Sequence, residues 1–178
     1  MKRKQIVDLI TAVSLIIVGS LILIFPLLKI VNIKYIFMGV LSFYGIMNLI
    51  QFLLTNESKD YEGLFTMIAS ICTLILLGLV NIEKNPLNLA LTLFFWVTLM
   101  SLIKLKKCDY YHDRKKKIYI LRIITLVLFI LTGLLCTINL YYETTMQVLV
   151  IGFFYFIHGI LELFDPIVYY LIELPKKS

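Results

Sequence analysis

Residues 146–165 read MQVLVIGFFYFIHGILELFD. The stretch is long enough for a helix to cross a hydrocarbon layer, which takes about 20 residues, yet it carries Tyr155, His158, Glu162 and Asp165. At helical spacing these four fall near one stripe. An ionisable side chain costs about 2.5–3.5 kcal/mol at the bilayer centre on insertion scales. The segment therefore predicts a membrane span that turns one face away from lipid.

Composition extends this reading to the whole chain. Hydrophobic residues make up 61% of the 178 and charged residues 16%, where soluble domains average roughly 45–50% and about 25%. A soluble fold of this size leaves much of its surface in water. The apolar excess, with a mean hydropathy of +0.95, points to lipid as the solvent. Apolar runs predict six spans, at about 6–25, 35–54, 64–80, 87–105, 118–140 and 146–165, in one all-α integral membrane domain. The basic start Met1-Lys2-Arg3-Lys4 imitates a signal peptide, but the apolar run behind it is of span length and no small-x-small cleavage pattern follows. It is expected to remain as the first helix. Residues 104–117 are expected to form a basic cytoplasmic loop, and 166–178 a tyrosine-bearing interfacial tail.

Six spans put both termini and the second and fourth loops on one side. Of the 17 Lys and Arg, all but Lys29, Lys34, Lys84 and Arg122 lie there, so the positive-inside bias predicts cytoplasmic N and C termini. The net charge of +6 is then accounted for by topology and by contact with anionic lipid headgroups. The candidates for that contact are Lys106, Lys107, Arg114, Lys115, Lys116 and Lys117. Nucleic acid is not an expected partner, because these charges lie between apolar spans.

The chain also resembles itself. Laying Gly19 on Gly133 brings Gly45 onto Gly159, Asn48 onto Glu162 and Asp8 onto Arg122. Laying Gly19 on Cys72 brings Gly39 onto Thr92, Gly45 onto Thr98 and Asn48 onto Ser101. Three similar helical hairpins follow from this, repeated in parallel because two spans per unit preserve orientation. Gly19, Gly39, Gly45, Gly133, Gly152 and Gly159 are the candidate helix-packing positions, since helix association in lipid depends on close van der Waals approach.

Gly19, Phe25-Pro26, Met38-Gly39 and Tyr44-Gly45-Ile46, echoed by Gly133, Ile151-Gly152 and His158-Gly159-Ile160, resemble the HdeD-type acid-resistance membrane proteins. The resemblance covers nearly the whole chain. It departs at Thr98, where the other hairpins have glycine, and in the third hairpin, which lacks the proline. It implies a six-helix bacterial inner-membrane protein associated with acid or envelope stress, and it brings no catalytic residue with it.

His158 and Glu162, one turn apart, are the candidate proton-responsive pair, histidine being the side chain that titrates near neutral pH. Glu162 equally fits a headgroup contact or a helix cap, because Asp165 at the helix end is only one turn away. Asn48, Ser101 and Tyr155 are candidates for a polar pocket; the competing reading is ordinary interhelical hydrogen bonding. Asp8 and Arg122 occupy equivalent helix starts, where pairing with each other and a solvated interface charge are equally good readings of each. Cys108 and His112 have no second ligand pair, and three widely spaced cysteines form no disulfide framework, so no metal is expected. No nucleophile elbow, Walker loop or dinucleotide fingerprint occurs. The expected protein is therefore non-enzymatic and without a cofactor. The competing class is a small channel or proton-linked transporter, as a homo-oligomer because six short helices enclose little volume.

Overall fold

Between Ile118 and Tyr142, two sets of apolar residues alternate along one helix. Leu126, Phe129, Cys136 and Leu140 are buried together with Gly133 and Arg122, whereas Ile120, Ile124, Val127, Leu131, Leu135 and Ile138 are exposed. Both sets recur every three or four residues, the spacing of opposite helix faces. The helix is thus apolar on both faces and carries its only charge inward, a pattern compatible with a lipid surround.

The computed structural model describes residues 3–25, 32–55, 61–82, 85, 87–113, 118–142 and 146–173. Six helices follow in order: α1 (Arg3–Ile24), α2 (Ile33–Leu53), α3 (Glu62–Leu79), α4 (Leu87–Asp113), α5 (Ile118–Tyr142) and α6 (Gln147–Glu173). The described residues contain no strand. All six helices are long and apolar enough to cross a membrane, which is the build of a multi-pass membrane protein. On α1 the residues Ile6, Ile10, Val13, Ile17, Leu21 and Ile24 form a continuous outward stripe, as lipid-facing positions should.

The helices form a ring in chain order, closed by α6 against α1. Each hairpin's own two helices pack less extensively than the pairs that cross from one hairpin to the next, which are α2 with α3, α4 with α5, and α6 with α1. Glycine explains the difference. A Cβ on Gly159 would come within 2.8 Å of the Ala12 carbonyl, and one on Gly19 would meet the α6 backbone at Phe156 and Gly152. Gly152 similarly faces Ile22, Gly133 faces Val97 and Gly45 faces Ser70. Gly63 packs against Phe52 and the Asn48 carbonyl, a close approach the sequence reading did not single out. Gly39 is a correction: nothing lies within 4 Å of its Cβ position, so it faces outward and packs no helix.

The middle of the ring is filled by Trp96, Phe37, Phe129, Phe154 and Tyr155, all fully buried. Hydroxyls on the inner faces turn back on their own helices. Thr11 donates to the Val7 carbonyl, Ser70 to Thr66, and Thr73 to Ala69, which satisfies them where water is excluded. Asn32 caps α2, its Oδ1 accepting from the Lys34 amide at 2.9 Å.

Two helices run beyond the expected spans. Helix α4 runs on to Asp113, so residues 104–113 of the anticipated loop are helical; residues 114–117, with Arg114, Lys115, Lys116 and Lys117, lie outside the described residues. The inward spacing continues through Trp96, Met100, Lys107 and Tyr111, all buried, and that continuation holds the extra turns. Helix α6 likewise passes through Pro166 to Glu173, into the expected interfacial tail. Proline there forgoes one backbone hydrogen bond toward Glu162, while its ring is buried in the bundle.

Candidate functional site

The beginnings of α1, α3 and α5 and the later turns of α2, α4 and α6 meet at one end of the ring, and there the inward faces are charged. Arg122 of α5 places Nη2 2.8 Å from Asp165 Oδ2 on α6 and Nη1 3.8 Å from Glu62 Oε1 on α3. The other Glu62 oxygen accepts from Lys107 Nζ on α4. Glu162 Oε1 accepts from Lys104 Nζ at 2.5 Å and from the Tyr44 hydroxyl at 3.1 Å. The Asn48 side chain donates to the Tyr44 carbonyl at 2.9 Å, steadying that tyrosine's turn of α2. Aromatic faces complete the cations' surroundings: Arg122 Cζ is 4.7 Å from the Tyr111 ring centroid and Lys104 Nζ is 5.4 Å from that of Phe129.

These groups surround a cavity of about 70 Å³. It has room for a few waters, at roughly 10–15 Å³ of such volume each. From α1 it is lined by Lys4, Gln5, Asp8 and Thr11, from α2 by Tyr44, Asn48 and Gln51, and from the remaining helices chiefly by the ion-paired side chains. Two acceptors face it without a hydrogen-bond partner among the described residues, Gln51 Oε1 and Asp165 Oδ1.

Just inward of Glu162 lies His158, 1% exposed. Four aromatic rings surround it. Their centroids lie at 5.4 Å for Tyr44, 5.4 Å for Trp96, 5.0 Å for Phe129 and 5.9 Å for Phe154, the last nearly parallel to the imidazole. His158 Nε2 is 3.7 Å from Glu162 Oε1, beyond hydrogen-bond distance, and neither ring nitrogen has a partner among the described residues.

The structure brings His158 and Glu162 together and sets Asn48 on the same cavity wall. Ser101 and Tyr155 are not part of that wall. The Ser101 hydroxyl donates to the Val97 carbonyl at 2.7 Å, and Tyr155 is in the core against Phe37 and Phe154. Asp8 and Arg122 face the same cavity, but the ion pairs of Arg122 run to Asp165 and Glu62. Lys107, expected at lipid headgroups, is 5% exposed and held by Glu62. Lys106, its neighbour, is exposed. Cys108 is buried and His112 exposed; no group of three or more His, Cys, Asp or Glu among the described residues is arranged to hold a metal ion.

Sequence reading missed Glu62, Lys104 and Gln51 as site residues. Glu62 precedes the expected span of residues 64–80 and opens α3. A usable signal existed on α4, where Lys104 and Lys107 continue the three-and-four spacing of Trp96 and Met100. Chemically, the cluster is a set of partly buried carboxylates, each compensated by a cation from another helix. Neutralising a carboxylate there leaves a buried cation uncompensated, which low-polarity surroundings penalise heavily. No family model matches the chain, and neither does any curated protein or solved structure.

Proposed function

We propose that this chain is a small bacterial inner-membrane protein of the HdeD-like type that supports tolerance of acid or envelope stress without classical catalysis. The observation that carries the reading is the partly buried ion-pair cluster, Lys104–Glu162, Lys107–Glu62 and Arg122–Asp165, at one end of six membrane-length helices, with His158 behind it. Acidification supplies protons to the carboxylates and to His158. Each proton taken up turns a balanced pair into net positive charge inside the bundle, and like charges that close repel. The response is then a loosening of the helix ends around the cavity.

The finer arrangement is part of the same reading. We take the six helices as three hairpins repeated in parallel, with both termini cytoplasmic. Gly45 of α2 against α3 and Gly159 of α6 against α1, repeat-equivalent positions packed on equivalent neighbours, support the repeat. Thirteen basic residues on the side of the termini, all of the 17 Lys and Arg but Lys29, Lys34, Lys84 and Arg122, support the orientation.

A strain lacking the protein should survive acid challenge less well, and the wild-type chain should restore survival. His158→Gln, which leaves all three ion pairs in place, should restore it incompletely; full restoration by that variant rejects the proton-responsive role. The alternative, a channel or proton-linked transporter, is favoured by the hydrated-size cavity with its partnerless acceptors. Purified protein in liposomes loaded with a pH-sensitive dye separates the two. Proton flux that Glu162→Gln abolishes supports transport, and an unmoved gradient supports the non-conducting role.

A further inference from the structure

A second hollow, of about 430 Å³, lies between α3 and α4, outside the ring. Its inner part is apolar, formed by Phe65, Leu102 and Ile103, and its outer part is formed by Tyr61, Lys106 and Tyr110. It faces the surroundings, not the core: Phe65 is 53% exposed, Leu102 57% and Tyr61 50%. Along α4, Leu102, Lys106 and Tyr110 follow one another at intervals of one turn, about 6 Å each at 1.5 Å per residue. The hollow thus changes from hydrocarbon-like to cationic and phenolic in the direction of the helix ends where the other charges gather.

We propose that this groove is a binding site for one anionic phospholipid, its phosphate at the Lys106 ammonium and an acyl chain along Phe65, Leu102 and Ile103. The order of chemistry along the groove is the lipid's own order from acyl chain to headgroup. Lysine near an anionic headgroup gains from its charge, and tyrosine is suited to that depth. The Glu62–Lys107 ion pair lines both this groove and the internal cavity. A phosphate at Lys106 sits one residue from Lys107 in sequence and competes with Glu62 for its charge, so the membrane's lipid composition bears on the cluster. The proposal needs the membrane-spanning reading only; failure of the acid-survival experiment leaves it standing.

The test is native mass spectrometry of the full chain released from micelles containing equal amounts of phosphatidylglycerol and phosphatidylcholine. Wild type should retain one phosphatidylglycerol with about fivefold preference, the gain expected from one basic side chain at an anionic surface. Lys106→Glu should abolish the preference. Leu102→Trp, which fills the hollow from an exposed position, should reduce retention of both lipids, and Ile120→Trp, exposed on α5 and outside the hollow's lining, should not. Equal retention of the two lipids by wild type overturns the proposal, whatever the variants do. So does lipid retention unaffected by Leu102→Trp in a variant whose helicity matches wild type, or a dimer of the chain in place of the lipid adduct.

Discussion

Lys106 and Lys107 are adjacent in the chain and differ in almost every physical respect. The first is exposed, while the second is buried against Glu62, with its ammonium 5.8 Å from the Tyr111 ring centroid. Lys107→Met leaves Glu62 only its longer, 3.8 Å contact with Arg122, and losing a hydrogen bond to a charged group costs about 1.5–3 kcal/mol. Lys107→Met should therefore lower stability by about that amount, whereas Lys106→Met should stay within about 0.5 kcal/mol, as surface substitutions do. Denaturation in mixed detergent, followed by circular dichroism, measures both; equal losses would mean that the Lys107–Glu62 pair contributes nothing to stability. His158 shows a different balance at the same scale. It retains two ring nitrogens without hydrogen-bond partners inside an aromatic box, an arrangement that costs stability and is accounted for by the proposed proton response. The polarity of His158 was legible from its position in an apolar run; its four ring neighbours, contributed by three other helices and by α6 itself, were not.

At the scale of the element, α6 and α1 form the closest seam, and Gly19, Gly152 and Gly159 make it. Gly159→Ala places a methyl group against the α1 backbone, which cannot move aside as a flexible side chain would. It should separate the two helices and cost on the order of 1–3 kcal/mol, the range for overpacking. Gly39→Ala, with open space at its Cβ position, should instead be neutral or stabilising by about 0.5–1 kcal/mol, because alanine loses less backbone entropy in a helix. The two thermal midpoints in detergent, one lowered and one level or raised, check the pair. Both glycines looked alike in the sequence. Which of them is pressed against a neighbour depends on how each helix is rotated in the ring, and spacing within one helix carries no information about that.

For the whole molecule, an even number of alternating helices returns the chain to the side on which it began. The lining of the internal cavity by Lys4 of α1 and Asp165 of α6 puts the start of the first helix and the later turns of the last at the same end of the ring. Reporter domains fused at Met1 and at Ser178 should accordingly be active on the same side, and one inserted between α3 and α4 on the other. Active cytoplasmic reporters at both termini support the orientation proposed from the basic residues; opposite-sided termini would reject a six-span topology.

Span number, span length and the distribution of basic residues are local or additive properties, so the order of residues alone was enough to read six helices and a charge asymmetry. The partners of Glu62 are not of that kind. Lys107 is 45 residues away in the chain, and it meets Glu62 because the consecutive helices α3 and α4 pack side by side and because α4 continues past its apolar run. Lys107 is buried there with Glu62 opposite its charge, as a cation taken out of water requires. A basic residue at a span's end has the same sequence appearance whether it faces headgroups or a carboxylate. Only the packing of six helices around one another decided that Lys106 faces outward, that Lys104 and Lys107 face inward, and that the charged stripe of residues 146–165 closes an ionic cluster.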